Sequence, residues 1–201
     1  MDNHNYNTDP TIEDCWQLIH DGVKSRKSNY HTMTLGYLAN NQPRCINVIP
    51  RKLCTDNAII HFHTDIRSEK TQHLRQHPTV SCLFWCRLTK IQLSLTAEAT
   101  VRHNDPLTLD AWQNMRQMSK ICYCADISPN TATAQRSTGF TPDAWSQRHQ
   151  IAETMKPYEH FSIIQLHVKR IERLHLSASG HDRASFTRTK DKQWERQWHA
   201  P

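Results

Sequence analysis

Apolar and polar residues alternate most regularly over residues 92–101. Every odd position of that stretch carries an apolar side chain and every even position carries a polar one. Because successive side chains of a β-strand point to opposite faces, one face of this stretch is apolar and the other is polar. The pattern predicts a half-buried antiparallel strand.

A helical period governs residues 11–24, where apolar side chains recur at spacings of three and four. The repeating positions are Ile12, Cys15, Trp16, Leu18 and Ile19. Thr11, with Asp14 three residues later, resembles a capping box in which Asp replaces the usual Glu or Gln. These features predict a helix over residues 11–24.

Two further helices are predicted from their flanking residues. Residues 68–77 start with a serine and are stopped by Pro78, which cannot continue a helix. Residues 105–118 carry a proline in the first turn, where proline is well tolerated. Residues 126–157 are polar and poorly periodic, so we expect loops with short helical turns there.

Several short segments are rich in residues that favour strands. Together with few glycines and few helices, they predict a mainly β fold, a closed or nearly closed antiparallel barrel with helices at its ends. Besides residues 92–101, the predicted strands fall in residues 30–39, 44–49, 58–64 and 79–86, with two or three more after residue 160.

Length and composition indicate one globular domain. The chain has 201 residues, 37% of them hydrophobic and 22% charged, which suits a single domain over residues 11–201 after a polar tail over residues 1–10. It has neither an apolar run of about 20 residues nor a signal peptide pattern, so we expect a cytoplasmic protein without membrane contact. The odd number of cysteines, seven, favours reduced thiols over a disulfide framework.

The net charge of +6 is unevenly spread, because residues 167–201 hold eight Lys or Arg against four acids. Such a balance favours an anionic partner, either a nucleic acid or a small phosphorylated ligand. The four glycines lie far apart, which excludes the glycine-rich phosphate loops of Rossmann and Walker type.

The stretch "HFHTDIRSEKTQHL" suggests where an anion would bind. It leads from a predicted strand into a predicted helix, and Arg67 and Lys70 flank Ser68 at the helix start. Cations are unfavourable beside the positive end of a helix dipole. A phosphate at that end would reverse the balance, because it accepts hydrogen bonds from the free amides and from the cations.

The same stretch, with "LRQHPTVSCLFWC" and "IQLSLTAEA" after it, resembles the pyridoxamine 5′-phosphate oxidase family of FMN-binding split barrels. Further matches are "RCINVI" upstream and "GHDRASFTR" near the end. The "TD.RS.K" pattern of residues 64–70 is closer to one subgroup of that family than to the true oxidases. The resemblance implies FMN as cofactor, an oxidoreductase activity, and a homodimer with FMN at the subunit interface.

The resemblance also implies roles for single residues. The FMN phosphate would be held by Arg44, Ser68 and Lys70, joined by Arg67. The isoalloxazine ring would be lined by Thr64, by the backbone of Cys45, Ile46 and Asn47, and by His63 in place of an aromatic residue. Gln92 would reach the flavin from the other subunit. Arg183 would lie at the flavin edge and His181 beside it, as the two candidate catalytic residues.

Other family positions differ in this sequence. The basic residue that ends the first motif is Ile49, the arginine of the closing motif is Ser179, and a tryptophan of the preceding strand is Leu174. We therefore expect a small substrate other than pyridoxamine phosphate. Two alternatives stay open at this stage: a non-catalytic flavin-binding module for storage or sensing, and a basic barrel that binds nucleic acid. His61 and His63 alone do not make a metal site, and no metal is expected.

Overall fold

The computed structural model describes residues 9–201, and the predicted tail therefore lies mostly outside the described residues. Within this range the chain forms nine strands. Their bounds are β1 Met33–Ala39, β2 Gln42–Val48, β3 Pro50–Cys54, β4 Ile59–Asp65, β5 Thr79–Cys86, β6 Ile91–Arg102, β7 Phe161–His175, β8 Asp182–Arg188 and β9 Trp194–His199.

The strands form one antiparallel sheet in the order β2-β1-β5-β6-β7-β4-β3, and β8 and β9 extend it from β7. The two end strands, β2 and β3, are separated in sequence by Ile49 alone. Because one bent segment supplies both ends, the sheet curls back on itself. The predicted mainly β, barrel-like fold is confirmed.

The interior follows the alternation seen in the sequence. In β5 and β6 every second side chain is buried, and both strands contribute to one continuous core. The apolar face of the first helix adds Cys15, Trp16 and Ile19 to that core. Each large side chain buried in this way contributes roughly 1.5–3 kcal/mol.

Five α-helices surround the barrel among residues 9–201. They are α1 Ile12–Lys24, α2 Glu69–Gln76, α3 Pro106–Gln113, α4 Gln117–Lys120 and α5 Pro142–Glu153. The capping box of α1 is present: the Thr11 amide donates to Asp14 Oδ2 at 2.8 Å and the Asp14 amide donates to Thr11 Oγ1 at 3.2 Å. No helix in this part of the chain is long and apolar enough to cross a lipid bilayer.

Three sequence expectations about these elements were wrong. The helix predicted over residues 105–118 ends at Gln113, and the chain is extended at Arg116 before α4 starts. The segment predicted as loops contains α5, a helix of 12 residues capped by the Thr141 side chain. Residues 50–54 form β3, which was not predicted because the charged pair Arg51-Lys52 interrupts any apolar alternation.

Strand β7 contains a bulge that decides which of its side chains face outward. The register with β6 shifts between Thr96 and Ala97, so Lys169 is the extra residue on β7. Ile164, Leu166 and Val168 point inward before the bulge, whereas Ile171 and Arg173 are the buried positions after it. Glu172 and Leu174 therefore lie on the outer face of the sheet.

Candidate functional site

The turn between β4 and α2 leaves the start of α2 without a side-chain cap. Ser68 occupies the N-cap position, as expected, but its side chain forms no cap hydrogen bond. Its hydroxyl instead donates to the carbonyl of Asp65 at 2.7 Å. The Thr71 amide donates to the Ser68 carbonyl at 3.0 Å, so the amides of Glu69 and Lys70 are the ones that keep the unpaired donor character that favours an anion.

Lys70 reaches back over this turn. Its Nζ donates to Ser68 Oγ at 3.0 Å, and Thr64 Oγ1 lies 3.5 Å from the same hydroxyl. Burial lowers the pKa of the Lys70 ammonium, and the nearby Asp65 charge opposes that shift. Among residues 9–201, no carboxylate lies within ion-pair distance of Lys70. A desolvated cation with a neutral partner is stabilised when an anion binds beside it.

Arg67 is held within the chain. Its guanidinium pairs with Asp65, with Nη2 2.7 Å from Oδ2 and Nε 3.0 Å from Oδ1. Nη1 donates to the carbonyl of Ala125 at 3.0 Å. Arg67 therefore fixes the turn and ties it to the segment after α4. Its contact with a phosphate stays a prediction. Two of its five N–H groups remain available for that contact.

Arg44 approaches the same helix start from β2. It lies opposite Tyr37 of β1. Burial raises the pKa of the Tyr37 phenol, the Glu69 charge adds to that rise, and the Arg44 charge opposes it. Tyr37 therefore lies within electrostatic range of both Arg44 and the first residue of α2. A hydrogen bond with His73 lowers the pKa of Glu69, the first residue of α2, and the Arg44 charge is among the further causes that lower it, so Arg44 lies within electrostatic range of this helix start.

A second group of predicted residues meets on the outer face of the sheet. Gln92 lies opposite Leu174, and Leu174 lies opposite Arg183. These three positions form one cross-strand row over β6, β7 and β8, here called the outer row. Arg183 Nη2 donates to Glu172 Oε1 at 2.5 Å. Arg183 Nε is buried without a hydrogen-bond partner among the described residues.

The β2 residues predicted to line the ring divide between the two faces. Cys45 lies opposite Gly36, and Asn47 lies opposite Thr34, whose hydroxyl donates to Asn47 Oδ1 at 2.9 Å. Cys45 and Asn47 are exposed, whereas Ile46 packs against the core. Ile46 is partly buried, so its backbone is the part that a ligand would chiefly meet.

The helix start and the outer row lie near opposite ends of β7. Asp65 lies opposite Phe161 at the beginning of β7, and Arg183 lies opposite Leu174 near its end. At ~3.3 Å per residue, these positions are ~40 Å apart along the curved strand. His181 lies in the exposed loop before β8, where its Nδ1 accepts a hydrogen bond from the Ser177 amide at 3.1 Å.

A basic cleft opens beside His63, at the end of β4. Its volume is about 450 Å³. Four permanent cations and no carboxylate belong to its lining, which includes Lys24, Arg26, His31, Arg51, His63, Arg116, Ser119, Cys122 and Tyr123. Such a cleft favours small organic anions.

Sequence reasoning missed most of this basic cleft. It took Ile49 as the position of an absent basic residue, yet Arg51 places a cation in the cleft two residues later. The dipeptide Arg51-Lys52 was the available signal. Lys24 is the last residue of α1 and Arg26 comes two residues later, and only the fold shows that they line a cleft with His63 of β4.

His61 and His63 are neutral side chains in this barrel wall. Burial lowers the pKa of each to about 4, and for His63 the Arg51 charge adds to the effect. The His63 ring meets Phe161 edge-on with centroids 4.9 Å apart. His61 Nε2 lies 3.1 Å from Gln165 Nε2. A neutral ring at residue 63 resembles the aromatic side chain that it replaces.

Acidification should therefore destabilise the fold through these histidines. Their folded pKa of about 4 lies below the ordinary value of about 6.5, so the unfolded state binds more protons between these limits. The stabilising contribution is complete above pH ~6.5 and is lost as the pH falls towards 4. Between pH 7 and 4.5, we expect His63→Phe to lose about 1–2 kcal/mol less of its free energy of unfolding than the unchanged protein. Urea unfolding at the two pH values measures this difference. An unchanged pH dependence would contradict this, and exposed His149→Phe is the control.

The curled antiparallel sheet with helices around it is the architecture of a split barrel. Residues 13–103 match the family described as pyridoxamine 5′-phosphate oxidase, FMN-binding domain. The family resemblance drawn from the motifs is thereby confirmed, and FMN is the cofactor of this domain.

Solved structures of the same fold cover nearly the whole chain. One is a pyridoxamine 5′-phosphate oxidase-related, FMN-binding protein from Nostoc punctiforme, with 18% identity, a TM-score of 0.75, and coverage of 96% of this chain and 98% of that one. Another is PhzG from Burkholderia lata in complex with tetrahydrophenazine-1-carboxylic acid, with 15% identity, a TM-score of 0.75, and coverage of 100% and 98%. No curated protein sequence matches the chain.

The residues present fit FMN. The phosphate of this cofactor needs donors and a cation, which the start of α2 and Lys70 offer. A cation that is to contact the edge of the ring must have a hydrogen-bond donor left for that contact. The Arg183 Nε is buried and has no partner among the described residues. Both features are costly for the protein without a ligand, and FMN would satisfy them.

Proposed function

We propose that the chain is an FMN-dependent oxidoreductase of small organic anions that works as a homodimer. The observation that carries this proposal is the partly buried Lys70 ammonium at an uncapped helix start, which has a neutral hydroxyl partner but no carboxylate within ion-pair distance among residues 9–201. FMN supplies the redox chemistry when bound. The chain's own residues bind the cofactor, orient it and select the substrate.

The phosphate end of FMN would be held at the start of α2. Lys70, Ser68 and the first-turn amides offer donors within one turn, and Arg44 approaches from β2. Arg67 supports the turn through Asp65 and is proposed to contribute one of its remaining N–H groups. Donors of this kind bind a dianion strongly because their hydrogen bonds are charge-assisted.

The ring end would lie along β2 and β4. Thr64 and the backbone of residues 45–47 offer hydrogen bonds to the ring edge, and neutral His63 offers a flat apolar neighbour. Because His63 stays uncharged above pH ~5, it adds no cation beside the ring near neutral pH.

The separation of the two groups of residues along β7 supports the proposed homodimer. Gln92 and Arg183 lie on the outer face near the end of β7, ~40 Å of extended strand away from the helix start. A second copy that packs against the outer face would bring its own outer row to the cofactor. Exposed Leu83 and Trp85 lie on this face next to Ser94 and Gln92, which suits an apolar contact between subunits.

The substrate would occupy the basic cleft beside His63. The permanent cations there would bind a carboxylate or phosphate group and hold the reacting carbon against the ring. PhzG shares this fold and is solved in complex with tetrahydrophenazine-1-carboxylic acid, which supports an anionic substrate here. His181 and Arg183 are proposed to contact the substrate and to tune the ring. We expect a substrate other than pyridoxamine phosphate. Ser179, in the loop before β8, and Leu174, on β7, stand where the family has an arginine and a tryptophan.

The test is a spectroscopic titration of the purified protein with FMN and with riboflavin. We expect a two-banded flavin spectrum and FMN affinity at least about tenfold above that of riboflavin, since one charge-assisted contact alone accounts for that ratio. Equal affinities would remove the phosphate site. Slow turnover with every donor tried would instead favour the non-catalytic alternative.

Nucleic-acid binding is the weaker alternative, because part of the basic carboxyl-terminal region is paired within the chain. Arg188 donates to the carbonyls of Asp56 and Asn57, and Arg196 Nη1 lies 2.5 Å from Asp9. Salt-sensitive binding of oligonucleotides would nevertheless support it. The single-domain organisation and the cytoplasmic location stay predictions.

A further inference from the structure

A carboxylate on the outer face holds the arginine that we place at the flavin edge. Glu172 Oε1 accepts from Arg183 Nη2 at 2.5 Å, and Glu172 Oε2 accepts from Arg170 Nη2 at 3.0 Å. The Glu172 side chain is only 17% exposed, whereas those of Arg170 and Arg183 are 41% and 39% exposed. The best-shielded member of this trio is therefore the carboxylate between the two cations.

We propose that Glu172 is a positioning residue that fixes the Arg183 guanidinium for its contact with the flavin. The inference rests on the proposed function, because it assumes that Arg183 meets the cofactor. Glu172 points outward only because the bulge at Lys169 reverses the alternation of β7. Without that bulge, residue 172 would face the core and Arg183 would have no acidic partner on its own face.

The contact has two consequences for Arg183. A long arginine side chain on a sheet surface samples many rotamers, and a charge-assisted hydrogen bond to a shielded carboxylate selects one of them. The bond uses Nη2 and leaves Nε, which is unpartnered in the described chain, for a ligand. The Glu172 charge also offsets part of the positive field at the ring, and that field favours the reduced, negatively charged flavin.

The test compares Glu172→Gln and Glu172→Ala with a matched control, Glu98→Gln. Glu98 also forms an ion pair on this sheet, 3.1 Å from Lys169 Nζ, but both partners are exposed and lie away from the outer row. The readouts are the midpoint potential of bound FMN and the crystallographic position of the Arg183 guanidinium. We expect the potential to become more positive in Glu172→Gln than in Glu98→Gln, and the guanidinium to leave its place in Glu172→Ala.

A double mutant separates this inference from the proposed function. Glu172→Gln should shift the midpoint potential of FMN by only about half as much or less when Arg183→Ala is also present, because the two residues act as a pair. If the midpoint potential shifts in Arg183→Ala but not in Glu172→Gln, the positioning role of Glu172 is overturned and the flavin contact of Arg183 stands. The positioning role is also overturned if the Arg183 guanidinium keeps its position in Glu172→Ala, whether or not flavin is bound. No shift in Arg183→Ala overturns both the flavin contact of Arg183 and the role of Glu172.

Discussion

Replacing Lys70 by methionine should weaken FMN binding about 10- to 150-fold, which corresponds to roughly 1.5–3 kcal/mol. Methionine keeps most of the length and packing of the side chain but removes the ammonium that donates to Ser68. The substitution therefore removes a charge-assisted contact with the phosphate and leaves the hydrophobic contacts of the stem. Riboflavin has no phosphate, so its affinity should change little.

Fluorescence titration with FMN and riboflavin measures this effect. Arg44→Ala should behave in the same way, because Arg44 approaches the same helix start. The matched control is Lys169→Met on β7, whose ammonium pairs with exposed Glu98 and should leave both affinities unchanged. Unchanged FMN affinity in both Lys70→Met and Arg44→Ala would show that the phosphate binds elsewhere.

Local sequence patterns were sufficient for the elements that bury one face. The alternation over residues 92–101 gave β6, and the capping box with its apolar stripe gave α1, because each pattern reflects a single interface with the core. The cation pair around Ser68 pointed to the helix start for a similar reason. Its unusual charge is local, so it is visible without the fold.

The remaining parts depend on contacts between distant segments. Arg67 and Lys70 look equivalent in sequence, yet Asp65 and the Ala125 carbonyl engage Arg67 whereas Lys70 has only a neutral partner. The outer row needs the register of three strands and a bulge that no local pattern announces. Helix α5 has only two buried residues, Ala144 and Ala152, so it carries almost no apolar stripe.

The largest effect on stability is expected from Asp182→Ala, which should lower the free energy of unfolding by about 3–5 kcal/mol. Asp182 forms an ion pair with Arg173, and its Oδ2 lies 3.0 Å from His175 Nδ1. Arg173 is only 3% exposed. Removal of the carboxylate would leave a guanidinium charge buried at the barrel end, beneath α1.

The position of Arg173 under α1 is supported by Cys15. Burial raises the pKa of the Cys15 thiol to about 12, and the Arg173 charge opposes that rise, so the two side chains are near each other. Loss of the Asp182 partner should therefore loosen the contact between α1 and the barrel as well as the β7–β8 connection. Urea unfolding and the melting temperature report this loss.

A double variant distinguishes the effect of an unpaired buried charge from a general defect of the β7–β8 connection. Arg173→Met combined with Asp182→Ala removes the charge and its partner together and should recover about half or more of the lost stability. Glu98→Ala breaks an exposed ion pair of the same sheet and should change stability by about 1 kcal/mol or less. If Asp182→Ala is no more harmful than Glu98→Ala, the buried guanidinium of Arg173 does not depend on Asp182 for its stability.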